Sequence, residues 1–152
     1  MQKLDLLQTP DWVWKPLGTF GLDPCAGEGT EIGRINFRES DDGLSLPWTS
    51  TWFCNPPFSQ KDGWINKALE ADAPGILLLP ERGSAPWFGP VAAWCTAYWV
   101  MGKKINFIGG PSSNNMGTAL FCFGESMVDR VLDSGLPGHL CRVEQFVPRD
   151  PP

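Results

Sequence analysis

The run Gly75-Ile76-Leu77-Leu78-Leu79-Pro80 decides the fold class of this chain. Its centre is apolar without interruption, and a residue that breaks regular structure stands at each end. A short apolar run of this kind is typical of a strand that is buried on both faces. Such strands occur where helices cover both sides of a sheet, so the run predicts an α/β fold.

The segments on either side of this run alternate between strand-like and helix-like patterns. Alternation of this kind predicts a mostly parallel sheet with helices on both faces. Ligands bind beyond the carboxyl ends of the strands in such sheets, so segments that follow strands are the expected sites. The predicted strands are 18–22, 51–54, 97–100 and 119–123, with 104–108 as a possible further strand, and the predicted helices are 63–72 and 87–97.

Length and composition predict one globular domain over residues 1–152, with 146–152 as a loose tail. Hydrophobic residues make up 42% of the chain and charged residues 19%, which argues against disorder. No apolar run approaches the roughly 18 residues that a membrane span needs. The first residues lack the layout of a signal peptide, so a cytoplasmic protein is expected.

The five cysteines are widely spaced and form no C-x-x-C pair, and His139 is the single histidine. Zinc sites are built from such pairs or from Cys and His together, so no metal is expected. Reduced thiols are the interpretation that this pattern favours.

An acid and a glycine-containing loop follow the first predicted strand: Asp23-Pro24-Cys25-Ala26-Gly27-Glu28-Gly29-Thr30. Gly27 and Gly29 carry no Cβ, so the backbone there can approach a ligand closely. A carboxylate would repel a phosphate, whereas it suits a cationic or donor-rich ligand. The amino-acid end and the sulfonium of S-adenosylmethionine fit that description, and a plain glycine turn is the structural alternative.

A second motif, Asn55-Pro56-Pro57-Phe58, follows the strand at 51–54. The exocyclic amine of adenine is a poor nucleophile, so methylation requires acceptors that hold its N–H bonds and aim its lone pair. The Asn55 side-chain oxygen and the Pro56 carbonyl can supply them, and the two prolines fix the backbone. Phe58 offers a face on which a flipped base can stack. No general base is needed, because the amine loses its proton only after it becomes cationic.

With these two motifs the chain resembles the amino-methyltransferases, and more closely the small phage-type DNA adenine-N6 methyltransferases (Dam-like). The resemblance extends over residues 8–123, with the motifs in the family's order, and Phe58 stands where the family often has tyrosine. The segments that carry it are Gln8-Thr9-Pro10 with Trp12, Asp23–Ala26, Asp42-Gly43-Leu44 with Trp48, Phe53–Phe58, Leu77–Arg82 and Gly102–Phe107.

The resemblance implies a Rossmann-like methyltransferase fold, S-adenosylmethionine as methyl donor and adenine in DNA as acceptor. It implies a cofactor contact at Thr9 and Pro10, and a hydrogen bond from Asp42 to the adenosine part. Asp42 stands only 19 positions after Asp23, so the usual helix and second strand must be shortened or merged. That spacing leaves Glu39 and Asp41 as rivals to Asp42.

The net charge of −5 argues against a general nucleic-acid binder, because such proteins bind by neutralising phosphates. A local cluster could still contact DNA, and the candidates are Lys61, Arg82, Lys103 and Lys104, with the polar run 112–115 nearby. Weak DNA affinity, dimerisation or a helper protein would each fit this composition. The location would be the host cytoplasm for a phage protein.

Three other functions remain open on the sequence. Asn-Pro-Pro-aromatic loops also serve methyltransferases that act on RNA guanine or on protein glutamine, and the acidic charge suits a protein substrate. A module that kept the fold without catalysis is a different class. Cys25 follows a proline, as does the nucleophile of cytosine-C5 methyltransferases, but it lies in the cofactor loop.

Overall fold

The structure is a computed structural model that describes residues 7–110 and 116–148. Its strands are β1 (Phe20–Asp23), β2 (Gly33–Asn36), β3 (Trp52–Cys54), β4 (Gly75–Pro80), β5 (Ala97–Met101), β6 (Thr118–Phe123) and β7 (Gly138–Cys141). Its α-helices are α1 (Asp11–Trp14), α2 (Lys61–Glu70), α3 (Phe88–Trp94) and α4 (Glu125–Asp133). Short 3-10 turns cover Lys15–Leu17, Glu39–Asp41 and Phe58–Gln60.

All seven strands belong to one sheet in the order β2-β1-β3-β4-β6-β5-β7. The first four strands in this order pair in parallel. β6 is antiparallel to β4 and to β5, and β7 is antiparallel to β5. The predicted α/β class is therefore confirmed, with a parallel half that carries the two motif strands and an antiparallel half beyond β4.

The apolar run Gly75–Pro80 is β4, and its side chains alternate between the two faces. Ile76 and Leu78 pack in the core that also holds Met127 of α4. Leu77 and Leu79 pack in the opposite core, together with side chains of α2 and α3. Helices thus cover both faces, as predicted, and β4 is buried on both sides because each face meets its own core.

One predicted element is wrong and others were not predicted. Residues 104–108 do not form a strand and pair with none of the seven strands of the sheet. Ile108 makes only an isolated bridge to Gln8. The strands β2 and β7 and the helices α1 and α4 were not predicted. β2 lies at the sheet edge with Ile35 58% exposed, so it lacks the apolar run that marks a buried strand.

The predicted shortening after β1 is confirmed. β2 is a four-residue strand, and residues 24–32 between β1 and β2 contain no helix. Among the helices of the described residues, none has the length and apolar character needed to cross a membrane.

Candidate active site

The two motifs lie at the same edge of the sheet. β1 and β3 are neighbouring parallel strands with Leu22 opposite Trp52, so the segments that follow them emerge side by side. Both segments line a pocket of about 570 Å³. The pocket is lined by Leu7, Gln8, Pro24, Cys25, Ala26, Gly27, Glu28, Phe37, Arg38, Glu39, Asp42, Gly43, Leu44, Asn55, Pro57, Gln60 and Trp64.

Arg38 holds the loop after β1 in place, a role that was not predicted. Its Nη1 donates to the carbonyls of Gly27 at 2.5 Å and Thr30 at 2.7 Å. Its Nη2 pairs with Glu31 at 2.8 Å. Charge-assisted bonds to carbonyls are stronger than neutral ones, so this side chain fixes the loop that lines the pocket. The sequence gives no sign of this role of Arg38, because a single arginine outside a motif looks like a surface residue.

Asp23 lies beneath the loop and is not among the residues that line the pocket. It is 4% exposed, and its Oδ1 accepts the backbone N–H of Cys25 at 3.1 Å. Burial raises the pKa of Asp23 to about 7, against the lowering effects of that hydrogen bond and of Arg38. The Asp23 carboxyl therefore stabilises the first turn of the loop by accepting this hydrogen bond. Gly29, with φ +78°, lies at the exposed side of the same loop.

Replacing Asp23 by Asn is expected to flatten the pH dependence of stability. A folded-state pKa above the unfolded value means that stability is lost as pH rises from about 4 to about 7. Urea unfolding at about pH 5 and pH 8 should show the wild type losing roughly 3 kcal/mol more than Asp23→Asn, at 1.36 kcal/mol per pKa unit. The amide keeps the acceptor for Cys25, so the loop turn stays. Equal losses in both proteins would show that Asp23 titrates normally.

The structure separates the three acids that the sequence left as rivals. Glu39 and Asp42 line the 570 Å³ pocket. Asp41 does not, and its Oδ2 accepts the backbone N–H of Arg38 at 2.8 Å as a cap for the turn at Glu39–Asp41. Asp42 has φ 56°, a left-handed conformation that brings the chain back toward the pocket. Of these three rivals, Glu39 and Asp42 are therefore the two that a ligand in the pocket can reach.

Gly43 lines the larger pocket, a role that the sequence did not predict for it. A Cβ at this position would lie 2.0 Å from the backbone oxygen of Pro24. The segment around Asp42 and the loop after β1 thus approach each other closely at the pocket wall. Only glycine permits this approach.

A second, smaller pocket of about 150 Å³ adjoins the catalytic motif. Asn55 and Leu7 line both pockets, so the two spaces meet at the end of β3. Its lining is largely apolar, with Pro56 and Phe58 on one side. The residues around it are Leu7, Asn55, Pro56, Phe58, Leu78, Leu79, Pro80, Arg82, Phe107, Met116, Gly117 and Thr118.

The Asn55 side chain is held by a residue far away in the sequence. Its Nδ2 donates to Oγ1 of Thr9 at 3.1 Å, and Thr9 is 4% exposed. Thr9 lines neither pocket, and neither does Pro10 beside it. A carboxamide whose nitrogen is bound in this way turns its oxygen away from Thr9. Asn55 Oδ1 is thereby available as an acceptor.

The predicted DNA contacts fall into two places. Lys61 Nζ lies 5.0 Å and Arg82 Cζ 5.8 Å from the centre of the Phe58 ring, at the 150 Å³ pocket. Lys103 Nζ lies over the Trp12 ring at 5.0 Å, and Lys104 is exposed. The polar run 112–115 lies outside the described residues. Two of the four cations therefore surround the aromatic ring of the catalytic motif.

The buried cysteines are not activated thiols. Burial raises the pKa of Cys95 and of Cys122 to about 12, and that of Cys54 well above its usual range. Cys25 lines the larger pocket, away from the wall that Phe58 forms. Within residues 7–110 and 116–148, no group of three or more His, Cys, Asp or Glu could hold a metal ion.

A parallel half-sheet with a glycine loop after β1, and with Asn-Pro-Pro-Phe beside two pockets after β3, is the arrangement expected of an amino-methyltransferase. The chain matches the model of the family described as DNA N-6-adenine-methyltransferase (Dam) over residues 1–127. The chain therefore belongs to this family and is an enzyme that methylates adenine in DNA at N6. No match was found among curated proteins.

The family match decides between the alternative functions that the sequence left open. Among the residues that the structure describes, all those that line the two pockets lie inside the matched range. An RNA or protein substrate, cytosine-C5 chemistry and a module without catalysis are set aside, because the family is one of DNA adenine methyltransferases.

Proposed function

We propose that the 570 Å³ pocket binds S-adenosylmethionine, that the 150 Å³ pocket receives the target adenine, and that Asn55 and Pro56 hold its N6 amine between them. The observation that carries this proposal is the position of Asn55 on the lining of both pockets. A residue at that junction is within reach of both the methyl donor and the acceptor nitrogen. The whole chain would form one Rossmann-like methyltransferase domain.

The residues of the larger pocket fit the chemistry of this cofactor. Carboxylates of Glu39 and Asp42 can accept hydrogen bonds from ribose hydroxyls or from an adenine amine, and Glu39 follows the end of β2, where such an acid binds ribose in related sheets. Phe37 and Trp64 offer apolar faces for the adenine ring. The contact at Gly43 leaves no room for a side chain in the wall. When bound, the cofactor supplies an electrophilic methyl group on a sulfonium.

The loop after β1 would contact the cofactor through Pro24, Cys25, Ala26 and Gly27, which line the pocket. Asp23 would contribute by shaping this loop through its bond to Cys25. The same support comes from Arg38 on the other side of the loop. A charge contact from Asp23 to the sulfonium is not needed for this role.

Catalysis would depend on two acceptors. Oδ1 of Asn55 and the carbonyl of Pro56 accept the two N–H bonds of the adenine amine, which turns its lone pair toward the methyl carbon. Both groups are preorganised, Asn55 by Thr9 and Pro56 by the following proline. Holding the reacting atoms in this geometry lowers the barrier without a general base. The proton leaves once the nitrogen has become cationic.

Phe58 would stack on the flipped adenine. Its ring lines the smaller pocket, and Lys61 and Arg82 lie over it. These cations can bind phosphates next to the flipped nucleotide, and Lys103 and Lys104 would extend the contact. A local cluster of this size accounts for DNA binding by a chain of net charge −5. Its affinity should fall steeply with salt.

Phe58→Ala should reduce kcat/KM for DNA roughly 10- to 100-fold, whereas Phe58→Tyr should stay within about threefold of the wild type. Stacking of one base on an aromatic ring is worth about 1–3 kcal/mol, and tyrosine keeps the ring. Steady-state methylation of duplex DNA at several DNA concentrations measures both variants. Equal losses in the two variants would argue against stacking.

The proposed function is tested by transfer of a labelled methyl group from S-adenosylmethionine to unmethylated plasmid DNA, followed by nucleoside analysis. Labelled N6-methyladenine is the expected product. Label in cytosine, or no label in DNA from protein that binds the cofactor, would overturn the proposal. The control variant is Asn66→Ala, at an exposed position on α2. This substitution should leave the yield of N6-methyladenine unchanged.

A further inference from the structure

The segment that precedes α1, residues 7–9, touches both parts of the site, and we call it the strap. Leu7 lines both pockets. The backbone of Gln8 exchanges two hydrogen bonds with Ile108, at 3.0 and 2.9 Å. The Gln8 side chain donates through Nε2 to the carbonyl of Glu28 at 2.9 Å, on the loop after β1. The strap is therefore anchored to the body of the protein and to that loop.

Close packing strengthens the connection between the strap and the loop. A Cβ added at Gly27 would lie 2.9 Å from Cγ of Gln8. The loop and the strap thus lie against each other without space for a further atom. A shift of the strap toward the loop would therefore displace the loop.

Thr9 is the end of the strap that meets the catalytic motif. Its side chain is 4% exposed and lines neither pocket, and its Oγ1 accepts the bond from Asn55 Nδ2 at 3.1 Å. The two ends of a carboxamide have nearly the same shape, so packing alone does not determine which end faces the substrate. In the structure the Thr9 hydroxyl is bound to the nitrogen, which leaves Oδ1 as the end that faces away from Thr9.

We propose that Thr9 is a positioning residue that acts through Asn55. Its hydroxyl holds the carboxamide with Oδ1 toward the two pockets, and the strap keeps Thr9 in register with the loop after β1. This inference rests on the proposed function of Asn55 as an acceptor for the amine. It differs from the cofactor contact that the family resemblance implied for Thr9.

Thr9→Val removes the acceptor and keeps the branched shape, so it tests the inference directly. We expect kcat to fall roughly 10- to 100-fold, in line with the loss caused by misplacing a catalytic group by about 1 Å. The Kd for S-adenosylmethionine, measured by calorimetry, should stay within about threefold. Thr9→Ser, which keeps the hydroxyl, should recover most of kcat. Thr49→Val, at an exposed position, is the matched control.

The possible outcomes separate the roles of Thr9. A raised Kd with an unchanged kcat would overturn the positioning role in favour of a direct cofactor contact. An equal loss of kcat in Thr9→Val and Thr9→Ser would show that the hydroxyl is not the active feature. Failure of the proposed function is distinguishable, because the wild type would then form no N6-methyladenine. A wild type that forms it, with Thr9→Val equally fast, would overturn this inference alone.

Discussion

Asn55→Ala is expected to lower kcat for adenine methylation by at least about 100-fold while the affinity for S-adenosylmethionine stays within about threefold. Loss of one preorganised hydrogen-bonding group at a reacting centre typically costs about 100- to 1,000-fold in kcat. Asn55 lies where the two pockets meet, and Thr9 already fixes its orientation. The variant therefore removes an acceptor without removing the loop that would hold the cofactor.

Single-turnover methylation of plasmid DNA and calorimetric cofactor binding measure the two quantities separately. Asn55→Asp is the informative companion, since a carboxylate still accepts hydrogen bonds and should retain more activity than Ala. Asn66→Ala removes the same group from the exposed side of α2 and serves as the control. Wild-type kcat in Asn55→Ala would refute the proposed mechanism.

Gly43→Ala is expected to weaken S-adenosylmethionine binding at least about tenfold and to destabilise the protein by roughly 1–3 kcal/mol, the range for overpacking. The added Cβ would lie 2.0 Å from the backbone oxygen of Pro24. A flexible side chain could move aside, but a backbone carbonyl in a fixed loop cannot do so cheaply. The loop after β1 and the segment at Asp42 must separate, and both line the proposed cofactor pocket.

Gly63→Ala is the matched control for this substitution. The nearest atom to its added Cβ is Leu44 Cδ1 at 3.5 Å, which is ordinary contact. Gly63 lies within α2, where alanine is the better helix former by about 1 kcal/mol. This variant should therefore be at least as stable as the wild type and bind the cofactor normally. Cofactor affinity in Gly43→Ala equal to that of Gly63→Ala would contradict the assigned pocket wall.

The sequence by itself determined the local features of this protein. The apolar run of β4 predicted a strand buried on both faces, and the structure confirms it. The two motifs after β1 and β3 were recognised from residue types that tolerate few other conformations, glycine in one and proline in the other. Both motifs follow predicted strands, which marked them as expected sites, and the structure shows that β1 and β3 are neighbours.

Elements at the edges of the sheet had weaker signals. β2 exposes Arg34 and Ile35, so no apolar pattern marks it. The segment 104–108 has strand-like residues, yet it lies outside the sheet and makes only an isolated bridge from Ile108 to Gln8. Which strands pair is determined by the whole sheet, so the strand propensity of a single segment does not predict its pairing partners.

Only the tertiary structure decided how the site is supported. It placed Asp23 beneath its loop, gave Asp41 a capping role and assigned Arg38 to the loop carbonyls. It also joined Thr9 to Asn55, two residues 46 positions apart. Residue types and spacing determine local conformation and burial. Contacts over such distances depend on strand order and on the path of the connecting loops, which the pattern of single residues does not specify.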